Sequence, residues 1–252
     1  MSSYYEAMKQ SRLAEDRKSN RSGTEHPNYG TPSNSALVKL PVAHPTPVTV
    51  AQDAGLQRVC EQLSPMAVIG NDLRLLVTGC RPGDGASTIA AAFALDFSQR
   101  LSLRTLLIDG NARRPTLHRS FARANGGAAA LRLDGLMQIR STGWAWLDLA
   151  TSYLGSTEEE RREALRRCNE IARDYAAIVI DLGVVRLDAR TLPLARESDP
   201  ILLIARYGET RRHELATTAA ALRGAKRSAA GVILNAVANP ITPTTGKVKQ
   251  HE

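Results

Sequence analysis

Aromatic residues, cysteines and long apolar runs are all scarce in this chain of 252 residues. Aromatic residues make up only 4% of it, so leucine, isoleucine, valine and alanine must fill the core. The cysteines, Cys60, Cys80 and Cys168, are scattered and match neither a metal motif nor a disulfide framework. No apolar run approaches the roughly 20 residues that span a membrane, and no secretory signal follows the polar start. We therefore expect a cytoplasmic protein with reduced thiols.

The charge balance is basic, with 33 lysines and arginines against 25 acidic residues and a net charge of +8. Such an excess attracts polyanions of many kinds. The arginines are spread along the chain, however, and no basic-aromatic stripe or helix-turn-helix pattern accompanies them. We expect a solvated, arginine-rich surface and no nucleic-acid partner. Contact with acidic lipids or an acidic protein is the second interpretation.

Composition predicts four segments. Residues 1–19 are amphipathic and would form a short helix only against a partner surface. Residues 20–47 carry five prolines among small polar residues, which predicts a flexible linker. We predict a folded domain over residues 48–238 and a disordered tail over residues 239–252.

Within residues 48–238, short apolar runs alternate with helical patterns. The runs are Leu73–Thr78, Thr105–Ile108, Ala177–Ile180, Ile201–Ala205 and Gly231–Leu234. Helices are predicted over Ser87–Gln99, Thr157–Asp174 and Arg211–Arg223. Apolar runs that do not alternate in polarity are typical of parallel strands buried on both faces. The predicted fold is therefore α/β, a three-layer αβα domain with a mostly parallel sheet.

A phosphate-binding loop without its lysine follows the first of these runs. The apolar strand leads into a glycine-rich turn, and Ser87-Thr88 then opens an alanine-rich helix. Backbone N–H groups of such a turn cradle phosphate oxygens, and the hydroxyl after the lysine position binds magnesium. Ala86 occupies the lysine position, so the positive charge that would contact the β- and γ-phosphates is missing. The same residues also fit a strand-to-helix turn that binds nothing.

Carboxylates end two later strands, Asp109 after Thr105–Ile108 and Asp181 after Ala177–Ile180. A carboxylate at the end of a buried strand beside a phosphate loop is well placed to hold water on magnesium. Each could equally end its strand and accept backbone N–H groups, so both interpretations stay open.

The motifs between Leu73 and Val237 resemble those of bacterial tyrosine kinases, the BY-kinases, within the deviant Walker A ATPases related to MinD and ParA. The resemblance lies in Pro82–Thr88, in Ile108–Pro115 followed by His118, in Thr210–Arg212 and in Gly231–Asn235. It implies a P-loop NTPase fold and a role beside membrane chain-length regulators in polysaccharide export. Arg81 lies where the deviant loop has its signature lysine.

The resemblance implies candidate sites for nucleotide and metal. The nucleotide candidates are Arg81, Gly83, Asp84, Gly85, Ala86, Ser87, Thr88, Asp109 and Arg113. The metal candidates are Ser87, Asp109 and Asp181. We expect Mg-ATP or Mg-ADP to bind weakly or not at all.

Several departures from the family pattern argue against kinase activity. Ala86 replaces the phosphate lysine, Asn111 replaces the second acid of Asp-x-Asp, and Leu182–Val184 replaces a proline-rich stretch. No tyrosine cluster follows Tyr207. The oligomerisation element aligns with Ala54, Gln57 and Cys60 and is lost.

The leading hypothesis is a catalytically degenerate BY-kinase-like subunit for exopolysaccharide or capsule biosynthesis and export. It would bind cytosolic segments of a membrane polysaccharide chain-length regulator, which would hold it at the inner face of the cell membrane, and self-association stays open. One alternative is an active ATPase or tyrosine kinase in which Arg81 or Arg113 replaces the lysine. The other is a ParA-like positioning protein associated with DNA.

Overall fold

A sheet of nine strands runs through the part of the chain that the computed structural model describes. The described residues are 38–39, 47–68, 73–111, 115–117, 121, 130–133, 137–152, 159, 163, 166, 169–171, 173–184 and 192–236. The strands are β1 (Val38–Lys39), β2 (Leu73–Gly79), β3 (Thr105–Asp109), β4 (Ala130–Leu133), β5 (Met137–Ser141), β6 (Leu147–Ser152), β7 (Ala177–Val184), β8 (Ile201–Arg206) and β9 (Gly231–Asn235). Their order is β1-β9-β8-β2-β7-β3-β6-β5-β4, and only the β4–β5 and β5–β6 pairs are antiparallel.

Helices cover the parallel part of the sheet on both sides. They are α1 (Pro47–Ala51), α2 (Ala54–Val68), α3 (Ala86–Leu95), α4 (Leu192–Glu197) and α5 (Arg212–Gly224). A π-helical turn over Asp96–Arg100 continues α3. None of the described helices is long and apolar enough to cross a membrane.

Strand parity creates two hydrophobic cores, one on each side of the sheet. In β2, Leu75 and Val77 face the core that contains Ile89 and Phe93 of α3, whereas Leu76 faces the core that contains Leu194 of α4 and Leu222 of α5. Successive side chains of a strand point to opposite faces, so a strand that is apolar throughout must be covered twice. The predicted three-layer αβα architecture is confirmed.

The predicted linker over residues 20–47 is wrong at its end. Val38–Lys39 pairs in parallel with Ile233 and Leu234 of β9 and so extends the sheet. The unpaired edge of β9 offers backbone hydrogen bonds that a short extended segment can take up. Pro47 also already belongs to α1. The segments predicted over 1–19 and 239–252 lie outside the described residues.

The β5–β6 hairpin was missed from the sequence. Trp144 and Trp146 lie in its turn, where Trp146 has φ of 64° and is half exposed. Trp144 packs against the core of α3. A turn residue with positive φ breaks the period-two pattern from which a strand is recognised.

A buried ion pair joins the π-helical turn to α2. Arg100 donates from Nε and Nη2 to both carboxylate oxygens of Asp96, at 2.7 and 2.8 Å. The same guanidinium donates to Glu61 Oε1 at 2.8 Å and to the carbonyl of Gln57 at 3.2 Å. Asp96 is almost fully buried, so it depends on Arg100 for charge compensation.

Arg100→Ala is therefore expected to lower the free energy of unfolding by about 1–3 kcal/mol, because it leaves the buried Asp96 carboxylate without its partner. Urea unfolding near neutral pH measures the change. Arg166→Ala is the matched control, since Arg166 pairs with Glu163 and Glu170 in the open solvent. An equal effect of both substitutions would contradict the assignment.

Candidate functional site

The carboxyl ends of the parallel strands converge on one edge of the sheet. There Asp109 of β3 lies opposite Asp181 of β7, and Val77 of β2 lies opposite Asp181 on the other side. Asp109 and Asp181 share the parity of Leu107 and Val179, which belong to the core on the α3 side. Both carboxylates therefore stand on the face of the sheet where the glycine-rich loop enters α3. Ligands of open α/β sheets bind at this edge.

The loop between β2 and α3 has the backbone geometry of a phosphate cradle. Gly83 and Gly85 have φ of 93° and 91°, a backbone conformation that residues other than glycine rarely adopt. The N–H of Ile89 donates to the carbonyl of Gly85, and this is the first bond of the helix. The N–H groups of Ala86, Ser87 and Thr88 precede it, so they have no acceptor within the helix and point out of its N-terminus. This arrangement suits an anion.

Ala86 brings no charge to this cradle, and its methyl group is only 6% exposed. Arg81 turns away from the helix N-terminus, because its Nη1 donates to the carbonyl of Glu209 at 2.8 Å. Arg206 Nη1 donates to the carbonyl of Gly83 at 3.3 Å. Sequence reasoning missed Arg206, which is separated from the loop by more than a hundred residues.

Asp84 holds the loop together from the inside. Its carboxylate is 1% exposed. One oxygen, Oδ2, accepts the backbone N–H groups of Cys80 at 3.0 Å and Arg81 at 2.9 Å, while Oδ1 accepts the hydroxyl of Thr210 at 2.8 Å. Burial raises the pKa of Asp84, and these three hydrogen bonds act in the opposite direction. The side chain predicted to contact nucleotide is thus engaged within the protein.

Asp181 has a different environment, since it is buried with one oxygen unengaged. Oδ1 accepts the N–H of Gly183 at 2.8 Å. Oδ2 has no hydrogen-bond partner in the described part of the chain. The pKa of Asp181 is raised to about 6, chiefly by burial and in smaller part by the nearby Asp109, whereas the neighbouring Ser87 hydroxyl and the Gly183 N–H act in the opposite direction.

Asp109 organises the loop that follows β3. Its oxygens accept the N–H groups of Asn111 at 3.4 Å and Leu117 at 3.1 Å. Burial raises its pKa, which these backbone bonds partly offset. The Asn111 amide lies so close to Gly183 that an added Cβ there would overlap it. The part of Asp109 in metal binding stays a prediction.

The structure thus brings the loop residues 81–88, Asp109 and Asp181 to one edge of the sheet. Arg113, the remaining nucleotide candidate, lies outside the described residues, as does His118. Cys80 lies beside the loop, where burial raises the pKa of its thiol to about 11, so it is a poor nucleophile.

The residues present fit a divalent metal better than they fit a bare phosphate. An orphaned, buried carboxylate oxygen of Asp181 next to the Ser87 hydroxyl is an oxygen donor set of the kind that magnesium takes. The N–H groups of residues 86–88 fit phosphate oxygens, but a fixed positive charge at position 86 is missing.

Asp181→Asn is expected to stabilise the ligand-free protein near neutral pH. The folded pKa of about 6 lies above the ordinary value of 3.8, so the folded chain binds more protons and loses stability as the pH rises between these values. Asparagine does not ionise, which gives a gain of up to about 3 kcal/mol near pH 7.5 that vanishes near pH 4. Urea unfolding at both pH values measures it. A gain independent of pH would contradict the raised pKa, and Asp199→Asn, at a 76% exposed side chain, is the control.

Comparison with known proteins finds similarity to a bacterial tyrosine kinase in sequence and to two solved structures in fold. No family model matches it. The tyrosine-protein kinase YwqD of Bacillus subtilis is 28% identical over 171 residues, 64% of this chain and 71% of that protein. The crystal structure of the chimerical protein CapA2B2 superposes with a TM-score of 0.65 at 18% identity, covering 81% of this chain and 94% of that one. The kinase domain of the Escherichia coli tyrosine kinase ETK gives 0.61 at 20% identity, covering 85% and 95%.

The two structures share the fold, and YwqD adds the likeness in sequence. The αβα layers and the glycine-rich loop between β2 and α3 agree with this, as does the pair of facing carboxylates on β3 and β7. The chain is thus similar to a BY-kinase in sequence and to BY-kinase domains in fold, and it has alanine at the position of the loop lysine.

Proposed function

We propose that this chain is a catalytically degenerate BY-kinase-like subunit that supports or regulates the export of exopolysaccharide or capsule. The observation that carries the proposal is an intact phosphate cradle in which the uncharged Ala86 replaces the lysine. The fold and the loop favour retained nucleotide binding, whereas the missing charge argues against turnover.

Loss of the lysine weakens binding less than it weakens catalysis. A hydrogen bond from a charged group contributes about 1.5–3 kcal/mol, so its loss would reduce affinity by roughly one to two powers of ten. Phosphoryl transfer depends more strongly on fixed positive charge, because negative charge develops on the transferred group. Weak binding without efficient turnover is the outcome that this balance supports.

Ser87 and Asp181 are the residues that would hold Mg²⁺ here, and the N–H groups of Ala86–Thr88 would hold phosphate oxygens. Bound magnesium neutralises phosphate charge. The chain's own contribution is to keep the Asp181 oxygen dry and ionised near neutral pH. Its pKa of about 6 means that metal binding would strengthen as the pH rises through 6.

A general base is missing at the position where the family carries its second acid. Asn111 has a neutral amide, which does not take a proton from a hydroxyl group, and it packs against Gly183. The rival hypothesis of an active kinase needs Arg81 or Arg113 to replace the lysine. In the ligand-free chain Arg81 donates to the Glu209 carbonyl instead.

The proposed partner is the cytosolic segment of a membrane chain-length regulator, which follows from the BY-kinase resemblance. Such a partner would hold the chain at the inner face of the membrane.

Calorimetric titration with Mg-ADP and Mg-ATP tests the pocket. We expect wild type to bind weakly or below detection and Ala86→Lys to bind roughly ten- to a hundredfold more tightly, because lysine restores a charged contact to phosphate. Thr217→Lys, on the exposed face of α5, is the control. Micromolar binding by wild type that Ala86→Lys does not improve would contradict the proposal.

Steady-state ATP hydrolysis separates the degenerate subunit from an active enzyme. We expect no turnover by wild type, alone or with the regulator's cytosolic segments, and we expect those segments to retain the chain in a pull-down. Hydrolysis that disappears in Arg81→Ala would establish the rival hypothesis. Recovery of nothing in the pull-down would count against the regulatory role.

A further inference from the structure

We infer that Thr210 and Asn235 are positioning residues of the phosphate loop, which they hold in its anion-binding shape before a ligand arrives. Both lie beyond the loop, at the ends of the region that joins β8 to α5 and of β9. Neither offers a charge or a nucleophile to a ligand. The inference rests on the proposed nucleotide pocket for its meaning, but the contacts that carry it belong to the ligand-free protein.

A continuous chain of hydrogen bonds runs from β8 into the loop through Thr210. The N–H of Arg206 donates to Thr210 Oγ1 at 2.8 Å, and this hydroxyl donates in turn to Asp84 Oδ1 at 2.8 Å. The other oxygen of Asp84 takes the N–H groups of Cys80 and Arg81. A carboxylate oxygen only accepts, so the Thr210 hydroxyl is the donor in this bond. Thr210 therefore fixes the orientation of the carboxylate that shapes the loop.

Asn235 holds the main chain of Asp84. Its Nδ2 donates to the carbonyl of Asp84 at 2.8 Å, and its Oδ1 accepts the N–H of Ala236 at 2.8 Å. An added Cβ at Gly85 would overlap this amide nitrogen, so the backbone at Gly85 lies directly on Asn235. Both ends of the carboxamide are thus engaged inside the protein. The contact holds Gly85, which precedes the cradle, in its conformation of positive φ.

The two contacts meet on the same residue from different sides. Thr210 fixes the Asp84 side chain, and Asn235 fixes its main chain. A second link connects their segments, because the N–H of Tyr207 donates to the carbonyl of Asn235 at 2.8 Å. Loop shape thereby depends on β8 and β9 rather than on a bound phosphate or a lysine.

Hydrogen exchange of the ligand-free, full-length chain tests the assignment without any nucleotide. We expect the amide of Arg81, which donates to Asp84 Oδ2, to exchange about tenfold faster in Thr210→Val, which keeps the shape of threonine and removes the hydroxyl. The amide of Cys80 also donates to the carbonyl of Ile204 and is therefore not used as the readout. Thr210→Ser should restore wild-type exchange. Thr217→Val is the matched control, since the Thr217 hydroxyl bonds the His213 carbonyl within exposed α5.

Titration of Mg-ADP into Ala86→Lys is the second readout. Adding Thr210→Val or Asn235→Ala to that variant should weaken affinity roughly tenfold, whereas adding Thr217→Val should leave it unchanged. A loss of affinity with wild-type midpoints of thermal unfolding would separate positioning from general destabilisation.

The outcomes are distinguishable. Unchanged loop exchange in both Thr210→Val and Asn235→Ala would overturn the positioning role, whatever the nucleotide data show. Faster loop exchange together with no Mg-ADP binding by Ala86→Lys would support the role and overturn the proposed pocket. If Thr210→Val does not fold, Asn235→Ala decides the same question through the exchange of the Arg81 amide.

Discussion

Parallel alignment of β2, β3, β7, β8 and β9 sends all five strands toward one edge of the sheet, and every feature of the candidate site depends on it. Because β3 and β7 are in register, Asp109 and Asp181 are neighbours in the sheet although they lie 72 positions apart in the sequence. The same alignment puts the ends of β8 and β9 beside the loop after β2. A parallel sheet is stable only when both faces are covered, so the apolar strands that build the site also require the helices on either side.

Two buried carboxylates at this edge illustrate opposite uses of the same chemical group. Asp84 is surrounded by donors, which compensate the cost of burying its charge and make it part of the loop's framework. Asp181 has one oxygen without a hydrogen bond among the described residues and a pKa raised to about 6. A buried polar atom left unsatisfied costs free energy unless a ligand engages it. Asp181 rather than Asp84 therefore has an oxygen left with which it can bind a ligand.

Local patterns sufficed to predict β2, β3, β7, β8 and β9 and the carboxylates Asp109 and Asp181, because strand burial and residue type are encoded over a few neighbouring positions. The contacts of Thr210 and Asn235 with Asp84 were not predictable in this way. They join residues 126 and 151 positions apart, and neither threonine nor asparagine departs from the composition of an ordinary turn. The β5–β6 hairpin was missed for a different reason, since Trp146 in its turn has a positive φ although a bulky aromatic residue is not a turn signal in the sequence. Val38–Lys39 was assigned to a linker because two paired residues are too few to produce a pattern.

Replacement of the loop lysine changes which part of the site must balance phosphate charge. With Ala86 the cradle offers only backbone dipoles, and Arg81 and Arg206 bond to backbone carbonyls at the outer side of the loop. Any phosphate bound here would then depend on a cation held by Ser87 and Asp181, and on loop amides that already point the right way. If these amides were flexible, the entropy lost when they become ordered would offset part of their contribution to the binding free energy. A loop held rigid by Asp84 is thus of greater consequence in a chain without the lysine than in one that has it.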